Sequence, residues 1–443
     1  MVIARPIQGK HRTIKTRINL VLFGLFAIVP YVRVGGHPLL LLDIPARKFH
    51  IFGLTIWPQE LYFLHLLLML SGVMLFFFTS LLGRIWCGYG CPQTIFTEFY
   101  DAVGKLVVGS SFGKTALTGN QKIRLYIAWF IVAFALSFQF LAFFVPYEEI
   151  WHDILRGEFF PYLTTSSAVF RFVPAPWIIF LILSTGFAMF NVGYFRENVC
   201  KLVCPYGRFQ TALLDSHSPI VHYDAIRGEP RREKGQKSAV GDCVDCNMCQ
   251  LVCPTGIDIR DGLQIGCIQC GLCVDACTSV LSKFKKPTLI DYRTIAQAEN
   301  AAAPRKYLRP RTVVYGSLIA VLTAAFVYLL VVRIPIYAVT LRDKAISSIK
   351  VEDRFQNGYE IHVGNMSYKP IRVSIRITDD QFRILAPATE YTVPPAGFEK
   401  IRFVVEHPEP RANTFTKEIN FELRDLDHEN QKLKMKSIFS FRG

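Results

Sequence analysis

Eight cysteines repeat one spacing, Cys243-x2-Cys246-x2-Cys249-x3-Cys253-Pro254 and then Cys267-x2-Cys270-x2-Cys273-x3-Cys277. Three closely spaced thiolates on a tight loop can cap one face of an iron–sulfur cubane, while the fourth, three residues on, reaches a neighbouring cluster. The spacing therefore assigns Cys243, Cys246, Cys249 and Cys277 to one [4Fe–4S] centre and Cys253, Cys267, Cys270 and Cys273 to a second. Structural zinc sites favour two Cys-x2-Cys pairs over a three-plus-one run, so they fit this pattern poorly. One departure stands out: Thr278 follows the last cysteine where Pro254 follows the first run. The chemistry implied is the gain and loss of single electrons.

Four further cysteines form a second, weaker pattern. Cys87-x3-Cys91-Pro92 and Cys200-x3-Cys204-Pro205 each follow a hydrophobic run, which suggests a duplicated two-helix unit whose four thiols meet at one depth. Such a set could bind soft Cu(I), hold a further iron–sulfur cluster, or cycle between dithiol and disulfide. The residue types leave these three open. His65 and Met69, with Met74 nearby, could form a soft site on one helix face, although a membrane histidine more often satisfies a neighbouring helix and methionine fills gaps. Glu148, Glu149, His152 and Asp153 gather ligands suited to Cu(II), against the simpler reading of a solvated turn anchored by Trp151.

The elements that must position these thiols begin with membrane spans. Hydrophobic residues make up 51% of the 443-residue chain, and the mean hydropathy is +0.28. Five stretches qualify as spans: 18–34, 60–82, 123–145, 177–194 and 312–332. The last, at about 1.5 Å per residue, covers a hydrocarbon core of about 30 Å. Residues 1–17 and 83–124 carry five Lys or Arg each, against three in 33–58 and two in 146–176. That bias puts the N-terminus and the segment 195–311, with Arg231, Arg232, Lys283, Lys285 and Lys286, on the cytoplasmic side and the C-terminus outside. The first run lacks a small-x-small cleavage site and reads as a retained signal anchor. All twelve cysteines then lie inside or at the inner membrane edge, where thiols stay reduced. The net charge of +15 follows from this topology and from phospholipid contact; no basic recognition helix accompanies it, which argues against nucleic acid as a partner.

After Arg333 the texture changes to alternating runs at 359–363, 371–377, 399–405, 416–423 and 434–441, separated by turn residues. Five to seven strands over about a hundred residues suggest an immunoglobulin-like sandwich. The expected fold is thus a polytopic α-helical membrane protein of five spans with an inserted bacterial dicluster ferredoxin domain and a C-terminal all-β sandwich. Its divisions are 1–224 (four spans and both Cys-x3-Cys-Pro motifs), 225–293 (ferredoxin), 294–336 (linker and fifth span) and 337–443 (the sandwich).

This order, with Trp86-Cys87-Gly88-x2-Cys91-Pro92-Gln93-Thr94, Cys200-x3-Cys204-Pro205-Tyr206-Gly207 and the eight-cysteine block, resembles the cytochrome c oxidase accessory protein family (CcoG, also called FixG or RdxA) over nearly the whole chain. The resemblance implies a bacterial inner-membrane protein that helps to build cbb3-type oxidase by reducing Cu(II) to Cu(I). Oxidase subunits or copper-delivery proteins would then be partners, and a quinol or cytoplasmic reductant the donor. Copper comes from the resemblance alone; the residues by themselves reach a membrane-bound iron–sulfur electron carrier with an extra thiolate site. Two other readings are an electron-transfer subunit of a quinol dehydrogenase, whose members resemble this chain but lack the sandwich, and a non-catalytic assembly scaffold gripping an oxidase subunit.

Overall fold

Among the described residues of the computed structural model, five helices are long and apolar enough to cross a membrane: Lys10–Tyr31, Pro58–Leu82, Gly119–Leu141, Pro176–Phe195 and Pro310–Val332. The structure describes residues 3–441 apart from 35, 45, 110–111, 114–116, 158–174, 232–240, 301, 344–345, 347, 352–353, 386–389, 409–414 and 428–431. Arg232, read among the cytoplasmic cations, and Ala301 of the expected linker within 294–336 lie outside the described residues. The first helix starts eight residues before the expected apolar run. Its polar start is stabilised from a distant part of the chain: the carboxylate of Asp275 accepts the backbone N–H groups of His11 and Arg12 at 3.2 and 2.8 Å, satisfying donors a helix start leaves open. The third helix also begins early, at Thr118, where a capping box with Gln121 closes it.

The chain divides into two compact units. The first holds most of the helical spans together with the cysteine-rich segment. There Trp129 and Ala133 of the third span bury fully against Tyr100 of the helix Pro92–Val108, and the Trp129 indole donates to the Tyr100 carbonyl at 3.0 Å. The cysteine-rich segment is closed by an antiparallel strand pair, Pro219–Tyr223 with Ile290–Thr294, in the register Val221↔Tyr292. Its chain ends are thus brought together beside the thiols.

The second unit contains the C-terminal sandwich. Two sheets of five and four strands face each other, more strands than the alternation suggested, because the short strands Ile349–Val351 and Arg383–Leu385 are too brief to show a period. Tyr359, Ile361 and Val363 of the strand Arg354–Asn365 point inward with no exposure. They face Phe403, Ile401 and Glu399 across the antiparallel ladder, and the inward set continues with Phe421 and Phe439. Period-two burial of this kind is what one buried sheet face requires. Residues 47–63 group with this unit. Arg333 forks onto both carboxylate oxygens of Glu60 at 2.7 Å and donates to the Thr55 carbonyl at 2.6 Å.

Candidate iron–sulfur and thiolate centre

The two cysteine runs adopt one backbone. In the first, Asp245 and Asn247 flank Cys246 with φ of 48° and 54°; in the second, Gln269 and Gly271 flank Cys270 with φ of 52° and 74°. Left-handed residues of this sort gather successive amide N–H groups into an anion-binding concavity, at a cost that a side chain other than glycine must have offset. Arg260 supplies that offset in the first run. Its guanidinium donates to Asp245, Asn247 and Asp258 at 2.6, 2.6 and 2.5 Å. In the second run the Gln269 carbonyl accepts from Tyr292 at 2.6 Å and its side chain accepts from the Arg84 amide at 2.7 Å.

Cys243, Cys246, Cys249 and Cys277 line one cavity, closed by Tyr223, Leu281 and Ile290. Cys253, Cys267, Cys270 and Cys273 line a second, with Cys249 in the wall common to both. Each cavity therefore gathers one of the four-thiol groups read from the spacing. Thiols spread around a hollow suit a group of several atoms, and the soft donors, apolar walls and amide nests fit an iron–sulfur cubane. Burial pushes Cys249 up to about 11 and Cys267 up to about 12, and raises Cys270 and Cys273 as well. Loading must then displace protons. Thr278 also finds its reason here. The helix Leu272–Leu281 runs on past Cys277 and Thr278 bonds back to the Val274 carbonyl at 2.8 Å, a place where proline would remove a helical N–H; the shorter helix Met248–Leu251 has ended before Pro254.

The second thiol set also has a repeated local form. Cys91 and Cys204 each stand at the N-cap of a helix, Pro92–Val108 and Pro205–Leu213, with proline as its first residue, the position where a missing N–H costs nothing. Cys87 lies in the short helix Ile85–Tyr89, and Cys200 in a one-turn π-helical segment, Val199–Val203. Cys87 lies within electrostatic reach of Cys91, Cys200 and Cys204, although no three of the four converge as metal ligands among the described residues; none is in a disulfide. Burial pushes Cys87 up to about 12 and Cys200 up to about 11 and raises Cys91, although the amides of Gln93 and Thr94 pull Cys91 back. The Cys87 thiol donates to Gln210 at 3.0 Å.

The set adjoins the second ferredoxin loop. Cys87 and Cys200 share one apolar cluster with Ile268, Cys270 and Leu272. Gly88 makes this possible: a Cβ there would stand 2.8 Å from the Cys270 Cα and from the Ile268 carbonyl oxygen. Between the two sites lies Arg84, 1% exposed, donating to Gln210 at 3.3 Å and to the Ile265 carbonyl at 2.6 Å. Its charge favours the ionised forms of Cys87, Cys200 and Cys267. From sequence, Arg84 is only one of the five basic residues of 83–124. Its position three residues before Cys87 was the available signal.

The other candidates do not assemble. His65, Met69 and Met74 are exposed on the second span, and no trio of ligands forms around them among the described residues. In the helix Tyr147–Arg156, Asp153 accepts the Trp177 indole N–H at 3.0 Å and Glu148 pairs with Arg33, so the acidic turn is used structurally.

Comparison with known proteins follows the same outline. Residues 195–295 match the model of a 4Fe-4S dicluster domain, 64–109 a 4Fe-4S binding domain, and 326–442 the IG-like fold at the C-terminus of FixG. Protein RdxA of Cereibacter sphaeroides is 34% identical, over 88% of this chain and 84% of its own length. The chain belongs to the FixG/RdxA family. Protein RdxB of the same organism is 31% identical over 100% of the chain and 96% of its own length, and the nitrogen fixation protein FixG of Rhizobium meliloti is 36% identical over 67% and 57%. As a member of the FixG/RdxA family of oxidase accessory proteins, the chain is an iron–sulfur electron-transfer protein with several membrane-spanning helices, a dicluster ferredoxin domain and an immunoglobulin-like C-terminal domain.

Proposed function

We propose that this protein reduces Cu(II) to Cu(I) at the inner face of the bacterial cytoplasmic membrane during assembly of cbb3-type oxidase. The observation that carries the reading is the packing of Cys87 and Cys200 against Ile268, Cys270 and Leu272: a soft-metal donor set abuts a cubane-type thiol loop. In this proposal Cys243, Cys246, Cys249 and Cys277 hold one [4Fe–4S] cluster and Cys253, Cys267, Cys270 and Cys273 the other. When bound, the clusters supply one-electron chemistry. The chain's own residues do the rest. Cys87, Cys91, Cys200 and Cys204 receive the copper substrate, which takes up one electron and leaves as Cu(I), the ion that thiolate prefers. The protons displaced from Cys87 and Cys200 leave as copper binds, and the buried Arg84 guanidinium offsets the negative charge so created. The segments assigned to 1–224, 225–293, 294–336 and 337–443 then act as thiol-bearing membrane part, electron carrier, tether and outer docking module for an oxidase subunit or copper-delivery protein.

The test compares cluster-loaded, reduced wild-type protein with the Cys87→Ser/Cys91→Ser/Cys200→Ser/Cys204→Ser variant, both mixed with Cu(II) and a Cu(I)-specific chelator. Loss of chelated Cu(I) with retention of cluster absorbance supports the assignment. Equal rates in the two proteins refute it.

A further inference from the structure

A cavity of ≈140 Å³ opens where the N-terminal segment, the helix Pro92–Val108 and the bend before Cys200 meet, with Cys200, Ile268 and Leu272 of the thiolate site in its wall. Its charged lining is Arg5, Arg12, Glu98, Asp101, Lys105, Arg196 and Glu197. Two of the carboxylates are already engaged: Glu98 takes Arg12 at 3.2 Å and the fully buried Lys15 at 2.6 Å, and Asp101 takes Arg196 Nη2 at 2.5 Å. Arg196 is the unusual member. Its side chain is 1% exposed, its backbone holds φ of 35°, and its guanidinium stacks 5.8 Å above the Trp129 ring, yet Nε and Nη1 have no hydrogen-bond partner among the described residues.

Buried guanidinium N–H groups left unpaired are costly, and a planar fork of donors matches the oxygens of a phosphate. Counting formal charges on the lining gives four cations, Arg5, Arg12, Lys105 and Arg196, against three carboxylates, with Lys15 behind Glu98 adding a further positive charge. We infer that this cavity binds a phosphate-bearing anion, with Arg196 as its buried anchor and Lys105 and Arg5 at its rim. The anion is either the headgroup of an acidic phospholipid or a free phosphate. Leu106 and Val107, exposed on the same helix, are the kind of apolar edge that a bilayer would cover. Bound there, the anion ties the helix that begins at Cys91 to the bend that leads into Cys200, and so holds the spacing of the two Cys-x3-Cys-Pro motifs. The inference does not depend on copper being the substrate.

The full-length protein in detergent is titrated with phosphatidylglycerol, with phosphatidylcholine and with inorganic phosphate at fixed ionic strength, binding being read by native mass spectrometry and by tryptophan fluorescence. A lipid site gives retention of phosphatidylglycerol over phosphatidylcholine, with affinity reduced about fivefold in Lys105→Gln and more in Arg196→Gln. A free-phosphate site gives saturable binding of inorganic phosphate with the same dependence on those residues and no preference between the lipids. Arg5→Gln and Lys105→Gln leave the Arg196–Asp101 pair in place, so the result survives misfolding of the Arg196 variant. Binding of neither ligand, or binding indifferent to Lys105, Arg5 and Arg196, overturns the inference.

Discussion

At the scale of single residues, the twelve cysteines differ in burial, and that difference has a measurable consequence. Cys87 and Cys200, pushed up to about 12 and about 11, carry their protons throughout the range from pH 6 to 8. A metal ion that binds them as thiolates must release those protons, so affinity is expected to rise by about tenfold per pH unit for each proton displaced. Competition against a Cu(I) chelator at pH 6, 7 and 8 reads this slope; a flat profile would mean that these two sulfurs do not ligate. Arg84 gives a second prediction. Its charge is desolvated and faces the sulfurs, so Arg84→Gln should weaken metal retention by roughly 10–100-fold, as removal of a group that orients or neutralises ligands commonly does. Arg84→Lys should recover part of the loss, because the charge returns without the fork that reaches Gln210 and Ile265. An unchanged affinity in Arg84→Gln would remove it from the site.

At the scale of elements, helix starts and stops decide where sulfur can point. Cys91-Pro92 and Cys204-Pro205 use proline as the first helical residue, which leaves each cysteine as an extended residue between two helical segments rather than on the helix face. The opposite arrangement holds at Cys277, where the helix Leu272–Leu281 continues through Thr278. Thr278→Pro therefore restores the apparent consensus of the first run while breaking the helix, at a cost of about 3 kcal/mol. Lower iron content and a lower thermal midpoint are expected from it, and iron retained at the wild-type level would contradict the helical account. The same element supplies Asp275, whose carboxylate closes the start of the first span. A sequence pattern alone gives no sign of that pairing, because the partners stand more than two hundred and fifty residues apart.

At the scale of the whole molecule, each of the two compact units has its own core. In the second, the Arg333–Glu60 fork fixes residues 47–63 beside the strands, with Glu60 5% exposed. Arg333→Ala leaves that carboxylate buried and unpaired, which costs roughly 3–5 kcal/mol. Calorimetry on the full chain should show a lowered transition for this unit with the iron–sulfur absorbance unaffected. That a strand-rich end follows the cysteine-rich segment was legible beforehand, since cysteine spacing and strand alternation differ in texture; the border between the units, at Ala325 and Phe326 inside the fifth span, was not. The grouping of residues 47–63 with the sandwich was not, because short strands such as Leu54–Ile56 carry no period by which to recognise them.

What the sequence determined by itself were properties that repeat locally: five apolar runs of spanning length, two copies of a cysteine spacing, a strand-rich end, and the resemblance to a family that these together carry. Local repetition is readable because helix, strand and loop each impose a period or a fixed offset on neighbouring residues. Only the tertiary structure decided that Cys249 belongs to the wall shared by two cavities, that Gly88 lets one motif touch the Cys270 backbone, and that Arg84 and Arg196 are buried cations rather than inner-face charges. Those facts depend on which distant segments come into contact, and burial, which sets the cost of a charge or a thiolate, is a property of the packed chain and of no stretch within it.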